Sequence, residues 1–115
     1  MYIAIFYMPR SLDIQIGRLG KFHFCNGIYF YVGSAQRNLS ARLRRHSKKK
    51  KPLRWHIDYL SAKTNMLGAI TIPGPRKLEC QLAKKLDKMF ELYISGFGTS
   101  DCRCPGHLFY TQELP

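Results

Sequence analysis

Arg42 and His46 stand four residues apart in the segment LSARLRRHS, so a helix there carries both on one face. An arginine forks onto a phosphate through two N–H groups at once, which a lysine cannot do. A histidine donates or carries a proton near neutral pH, and a second one follows at His56. A plainer reading stands beside each. Arg44 and Arg45 adjoin Arg42, as on a solvated basic face, and His56 lies beside Leu53, Ile57 and Leu60, as a core histidine does. Glu79 lies at the start of a later apolar stripe with Ala83, Leu86 and Phe90. A lone carboxylate there suits a Mg²⁺ ion that keeps most of its waters. It equally suits the positive end of a helix, where such a charge stabilises by about 0.3–1 kcal/mol. The run Lys48-Lys49-Lys50-Lys51, preceded by Arg44 and Arg45, is material for following a phosphate backbone without reading its sequence. Cys102, Cys104 and His107 have ligand-like chemistry at half of a usual zinc spacing. Structural Zn²⁺ there needs Cys25 or Cys80 brought close by the fold.

Bulk properties agree with a polyanion as partner. The chain has 115 residues, with 19 Lys+Arg against 7 Asp+Glu and a formal net charge of +12. Such an excess raises the local potential for DNA or RNA, with acidic lipid as the other polyanionic surface. At 45% hydrophobic residues the chain holds enough apolar material for one core and one domain, residues 1–115. No apolar run reaches the length of a membrane span, roughly 18 residues. The opening MYIAIFYMPR lacks a basic stretch and a small-residue cleavage site, so a secretory leader is not expected. The expectation is a cytoplasmic protein whose four cysteines are thiols or metal ligands, not a disulfide frame.

The elements that must position these residues follow from periodicity. Residues 2–8 (YIAIFYM) read as a buried strand closed by Pro9. Ile14 and Ile16 alternate with polar neighbours, and Gly17 and Gly20 flank a turn before Phe22 and Phe24, which is a hairpin pattern. Residues 27–33 (GIYFYVG) form another strand rich in aromatic and branched side chains. Asn38 is placed to cap a helix that starts at Leu39, and Pro52 to open a second with the stripe Leu53, Ile57 and Leu60. Residues 66–72 read as a short central strand. A longer helix follows, with Leu78, Leu82, Leu86, Met89, Phe90 and Tyr93 at steps of three and four and Gly96 as its end. The tail is a loop with a short extended segment. The fold class is α+β: a small, mostly antiparallel sheet with an extended hairpin, flanked by about three helices.

Taken in order, Tyr31-Val32-Gly33-Ser34-Ala35, a helix with Arg42 and His46, then Trp55-His56 and Glu79, resemble the GIY-YIG nuclease superfamily. More closely they resemble a subfamily of small proteins, some fused to endonuclease III-type glycosylases. That subfamily shows an Arg-His step, here Arg45-His46, a WHIDYL block at 55–60, an E-C-x-x-A step at 79–83 and a GFG-x-S-D-C-x-C ending at 96–104. The likeness covers almost the whole chain. The family takes its two motif tyrosines from neighbouring strands. Gly27-Ile28-Tyr29 shares a strand with Tyr31, so Tyr2 takes the first place and Tyr31 the second, with Met1 where the family has glycine. The resemblance implies Tyr2 as general base, Tyr31 hydrogen-bonding nearby, Arg42, His46 and His56 as catalytic side chains, and Glu79 as the ligand of one Mg²⁺ or Mn²⁺ ion. It also offers His107 a place lining the active site.

The expected function is a metal-dependent endonuclease acting on DNA, structured or damaged, with RNA an open alternative. The second reading is a nucleic-acid-binding module of the same fold without catalysis, and the third a zinc-containing interaction domain. A site that retains Tyr31, Arg42, His46, His56 and Glu79 together favours the first, and the weak first motif favours the second.

Overall fold

The computed structural model describes residues 1–35, 37–98 and 106–112. In chain order the elements are β1 (Tyr2–Met8), β2 (Leu12–Ile16), β3 (Gly20–Phe24), β4 (Gly27–Gly33), α1 (Leu39–Ser47) and α2 (His56–Ser61). There follow β5 (Asn65–Thr71), a 3-10 turn at Arg76–Leu78, α3 (Glu79–Met89), β6 (Glu91–Leu92) and β7 (Leu108–Thr111). A five-stranded sheet runs in the order β5-β1-β4-β7-β6, and β2 and β3 make a separate hairpin. Among the described residues all pairings are antiparallel and there are three α-helices, so the fold is α+β, as the periodicity of the sequence implies. Among the described residues no helix is long and apolar enough to cross a membrane.

Alternation along β1 and β4 divides the core in two. Tyr2, Ala4, Phe6, Met8 and Tyr29 pack with Ile14, Ile16 and Phe24 of the hairpin and Ile57 and Leu60 of α2. On the opposite face Ile3, Phe30 and Val32 pack under Ala83 and Leu86 of α3. Helix α3 therefore covers one face of the sheet while α2 and the hairpin cover the other.

Four local expectations need correction. The second helix begins at His56, not near Pro52, because the Asp58 carboxylate draws in the backbone N–H groups of Arg54 and Trp55 at 2.8 and 2.9 Å. Leu53 is accordingly left 48% exposed. Asn38 does precede α1, but in the left-handed conformation (φ 55°) with no side-chain cap, a geometry asparagine tolerates better than most residues. The strand that starts at Asn65 is an edge, not a centre; a bulge between Ile5 and Phe6 leaves Leu67 without a register partner between Met66 and Gly68. Helix α3 ends at Met89, well before Gly96, because Phe90 turns into an extended conformation and stacks on Phe30 at 4.4 Å between centroids.

Candidate active site at the end of the sheet

The site forms where β1 begins and β4 ends. Tyr2 pairs in register with Gly33, and its ring lies across that glycine: a Cβ on Gly33 would come within 2.5 Å of the Tyr2 Cζ and Oη atoms. Tyr31, on the same strand as Gly33, sets its ring 6.4 Å from that of Tyr2. The two tyrosines thus come from neighbouring strands, whereas Tyr29 turns away and donates its hydroxyl to the Cys25 carbonyl at 2.6 Å. Tyr2 does not fray. The Met1 ammonium donates to the Ile72 carbonyl at 3.0 Å, and the Ile72 N–H returns a bond to Met1 at 2.8 Å.

Helix α1 delivers Arg42 and His46 together, as their spacing requires. His46 Nε2 lies 2.7 Å from Tyr2 Oη, and both residues are only 1% exposed. Burial pushes the Tyr2 phenol up to about 12; the nearby Arg42 pulls it back, and the charges of Glu79 and Asp58 push it further up. Tyr31 is raised more, again by burial first and then by Tyr2 and Glu79. Burial and the Lys51 cation pull His46 down to about 4 against the opposing pull of Asp58, so its ring is neutral at physiological pH. Among the described residues its Nδ1 is buried with no hydrogen-bond partner.

Arg42 donates from Nη1 to the Ser34 carbonyl at 3.2 Å and lies over the Trp55 ring, 4.4 Å from its centroid. The N-terminal end of α3 brings Glu79 to the same place. Its Oε2 accepts from the Ser34 hydroxyl at 3.3 Å, and its Oε1 lies 3.6 Å from His107 Nδ1. His107 is buried, and that burial lowers its pKa. It faces the Glu79 carboxylate.

His56 is joined to this cluster through a loop. Its Nδ1 accepts the Gly98 backbone N–H at 2.9 Å, so the neutral ring carries its proton on Nε2. Burial lowers its pKa. Gly98 has φ +73°, and a Cβ there would stand 3.1 Å from Tyr31 Cε1, so a bare backbone is needed between His56 and Tyr31. In the turn that leads to it, Ile94 takes φ 65°, a conformation costly for a branched residue.

The basic run divides. Arg44, Lys48, Lys49 and Lys50 are exposed. Arg45 instead donates from Nη2 to Asp58 at 2.8 Å and to the Pro52 carbonyl at 2.7 Å. Lys51 turns back on α1, donating to the Arg45 carbonyl at 2.9 Å and to the Ser61 hydroxyl. These two cations hold the fold, so the geometry separates them from the exposed basic surface. Asp58, fully buried, is the acid that sequence reasoning misses. An acid three residues after Trp55, at the third helical position of α2, is a capping signature that could have found it. Ser34 and Trp55 enter the sequence reading only as parts of longer motifs.

Cys102 and Cys104 lie outside the described residues. Cys80 is disulfide-bonded and Cys25 is free, which corrects the expectation that the cysteines are thiols or metal ligands throughout. A bonded Cys80 has no thiolate to complete a zinc site. Among the described residues no three His, Cys, Asp or Glu side chains converge on one point. Glu79, with a hydroxyl and an imidazole beside it, fits a hard ion that keeps its own waters and does not fit a closed zinc cage.

Fold and site together describe an α+β protein whose sheet end buries a tyrosine–histidine pair beside Arg42 and Glu79. One family model matches residues 1–115, and the chain belongs to that family, described as a domain of unknown function, DUF123. Neither a curated protein nor a solved structure matches the chain.

Proposed function

We propose that this chain is a GIY-YIG-type endonuclease that hydrolyses phosphodiester bonds, with DNA, structured or damaged, as substrate and the cytoplasm as its place of action. The observation that carries the reading is the convergence of Tyr2, Arg42 and His46 at the sheet end that also receives Glu79. The exposed cations Arg44, Lys48, Lys49 and Lys50 give the backbone contacts that such a substrate needs.

With its phenol at about 12, Tyr2 ionises at pH 7 at a cost of about 7 kcal/mol. A base of that kind needs cations and donors around its oxygen. Arg42 supplies one. His46 supplies the second if its proton sits on Nε2; Nδ1 is then a bare lone pair, which is easier to bury than an orphaned N–H. Glu79 would hold one Mg²⁺ or Mn²⁺ ion, which would supply neutralising charge for the transition state. Tyr2, once it has released its own proton to solvent, takes a proton on its phenolate oxygen from the attacking water, whose oxygen bonds to phosphorus as the bond to the leaving strand breaks. The departing oxygen is protonated from solvent. Arg42 is placed to fork onto a non-bridging oxygen, and His56 offers Nε2–H as a further donor.

A cleavage screen over flap, branched, damaged and plain duplex DNA, and over RNA, in Mg²⁺ and in Mn²⁺ tests this. Cleavage should appear and should fall more than about 100-fold in Glu79→Ala, with binding unchanged. Binding without cleavage of any substrate would instead establish the nucleic-acid-binding module. Cleavage at the wild-type rate in Glu79→Ala would refute the metal assignment.

A further inference from the structure

Arg42, Arg45 and Arg54 all approach one indole, with guanidinium carbons 4.4, 4.9 and 5.5 Å from the Trp55 ring centroid. They differ in what else holds them. Arg45 is fixed by the buried carboxylate of Asp58 and the Pro52 carbonyl, and Arg54 is exposed. Arg42 donates to the Ser34 carbonyl at 3.2 Å and reaches toward the Tyr2 hydroxyl. A guanidinium has five N–H donors, so among the described residues these two neighbours leave most of the fork open, and two nearby cations repel it.

We propose that Trp55 is a positioning residue: its indole face sets the place and plane of the Arg42 guanidinium, so that the N–H fork is presented to a phosphate. The advantage over a carboxylate partner is chemical. A carboxylate would occupy N–H donors and offset the charge, as Asp58 does when it accepts from Arg45 Nη2. An aromatic face attracts the cation through its quadrupole and leaves the N–H groups, which lie in the guanidinium plane, unoccupied. The residue that carries the ring is itself anchored, because the Trp55 backbone N–H donates to Asp58 Oδ2 at 2.9 Å where α2 begins. The next residue is His56, so one short segment places both a donor and the support of the arginine.

The catalytic part of this inference rests on the nuclease reading, but its structural part does not, and the experiment separates them. The chain has one tryptophan, so Trp55 is the only indole emitter. Wild type, Trp55→Phe, Trp55→Leu and Arg42→Ala would be compared by Arg Nε–H NMR and by single-turnover cleavage. Indole emission would be followed in wild type and Arg42→Ala as a duplex oligonucleotide is titrated in EDTA, with anisotropy recording occupancy. Three results are expected. The Arg42 Nε–H resonance moves downfield in Trp55→Leu as the ring current is lost. The oligonucleotide changes indole emission in wild type but not in Arg42→Ala at equal occupancy. The single-turnover rate at saturation falls about 3- to 30-fold in Trp55→Leu, the span of a cation–π contact, and less in Trp55→Phe, with affinity within about twofold. An unmoved Arg42 resonance in a folded Trp55→Leu, or emission that responds equally in Arg42→Ala, would overturn the positioning role. Absence of cleavage in wild type would fail the nuclease reading, while the resonance and emission would still decide whether the indole holds Arg42.

Discussion

Tyr2 Oη and His46 Nε2 lie 2.7 Å apart between two rings that are each 1% exposed. Ionising either would place a charge in a buried setting, so burial favours the neutral form of each. Tyr2 is a weak acid and His46 a weak base for the same reason.

Stability should therefore decline with acid in a defined window. The His46 pKa is about 4 in the folded chain against 6.5 for an unperturbed histidine, so between those two pH values the unfolded chain binds a proton that the folded chain does not. The contribution is complete above pH 6.5 and is lost as pH falls to about 4, by up to about 3 kcal/mol. His56 and His107, also lowered by burial, add to the same slope. Urea unfolding at about pH 7, 5 and 4 should give a shallower decline for His46→Gln than for the wild type. Parallel declines would show that His46 is not buried neutral.

Gly33→Ala should act through Tyr2. The added methyl would sit 2.5 Å from the phenol carbon and oxygen, so the ring must leave its place beside His46. Cleavage is expected to fall by about 100-fold, the scale of a misplaced catalytic group, while the far-UV spectrum stays that of the wild type. Undiminished cleavage would remove Tyr2 from the mechanism.

Much of this architecture is legible in the residues themselves. The alternation in YIAIFYM and GIYFYVG, the hairpin turn between Gly17 and Gly20, and the common face of Arg42 and His46 depend on neighbours close in sequence, and they appear as expected. What escapes depends on distant partners. The start of α2 is drawn back from Pro52 by a carboxylate whose burial requires Arg45, and the end of α3 is decided by Phe30 on a strand far earlier in the chain. The place of β5 at an edge is a property of strand order, which composition does not record. His107 meets Glu79 only because β7 inserts beside β4.

Arg42→Lys keeps the charge but loses the fork and the flat surface that lies on Trp55. Single-turnover cleavage should drop at least about tenfold at saturating DNA, with binding almost unchanged. Equal rates would return Arg42 to the general basic surface.

The lysine run should split into two kinds of variant. Replacing exposed Lys48, Lys49 and Lys50 by alanine should make log affinity against log salt shallower, by about 0.9 for each phosphate no longer neutralised, with the rate at saturation kept. Lys51→Ala should instead lower stability by about 1 kcal/mol, a screened value for a half-buried cation on the carbonyls ending α1, and leave the salt slope alone. Salt titrations beside urea midpoints separate the two; a changed slope in Lys51→Ala would put that lysine on the DNA.

The bulge in β5 bears on how the molecule behaves at high concentration. This edge strand, NMLGAIT, carries no charged residue, and Leu67 and Ile70 on it are 58% and 52% exposed. An uncharged apolar edge invites another copy to add a strand, the first step of self-association. At Leu67–Gly68 the extra residue breaks the regular repeat of donors and acceptors that such a strand would need. Solubility at that edge is thus protected by an irregular backbone where many proteins place a lysine, and a deletion restoring the register would turn a quiet edge into a template.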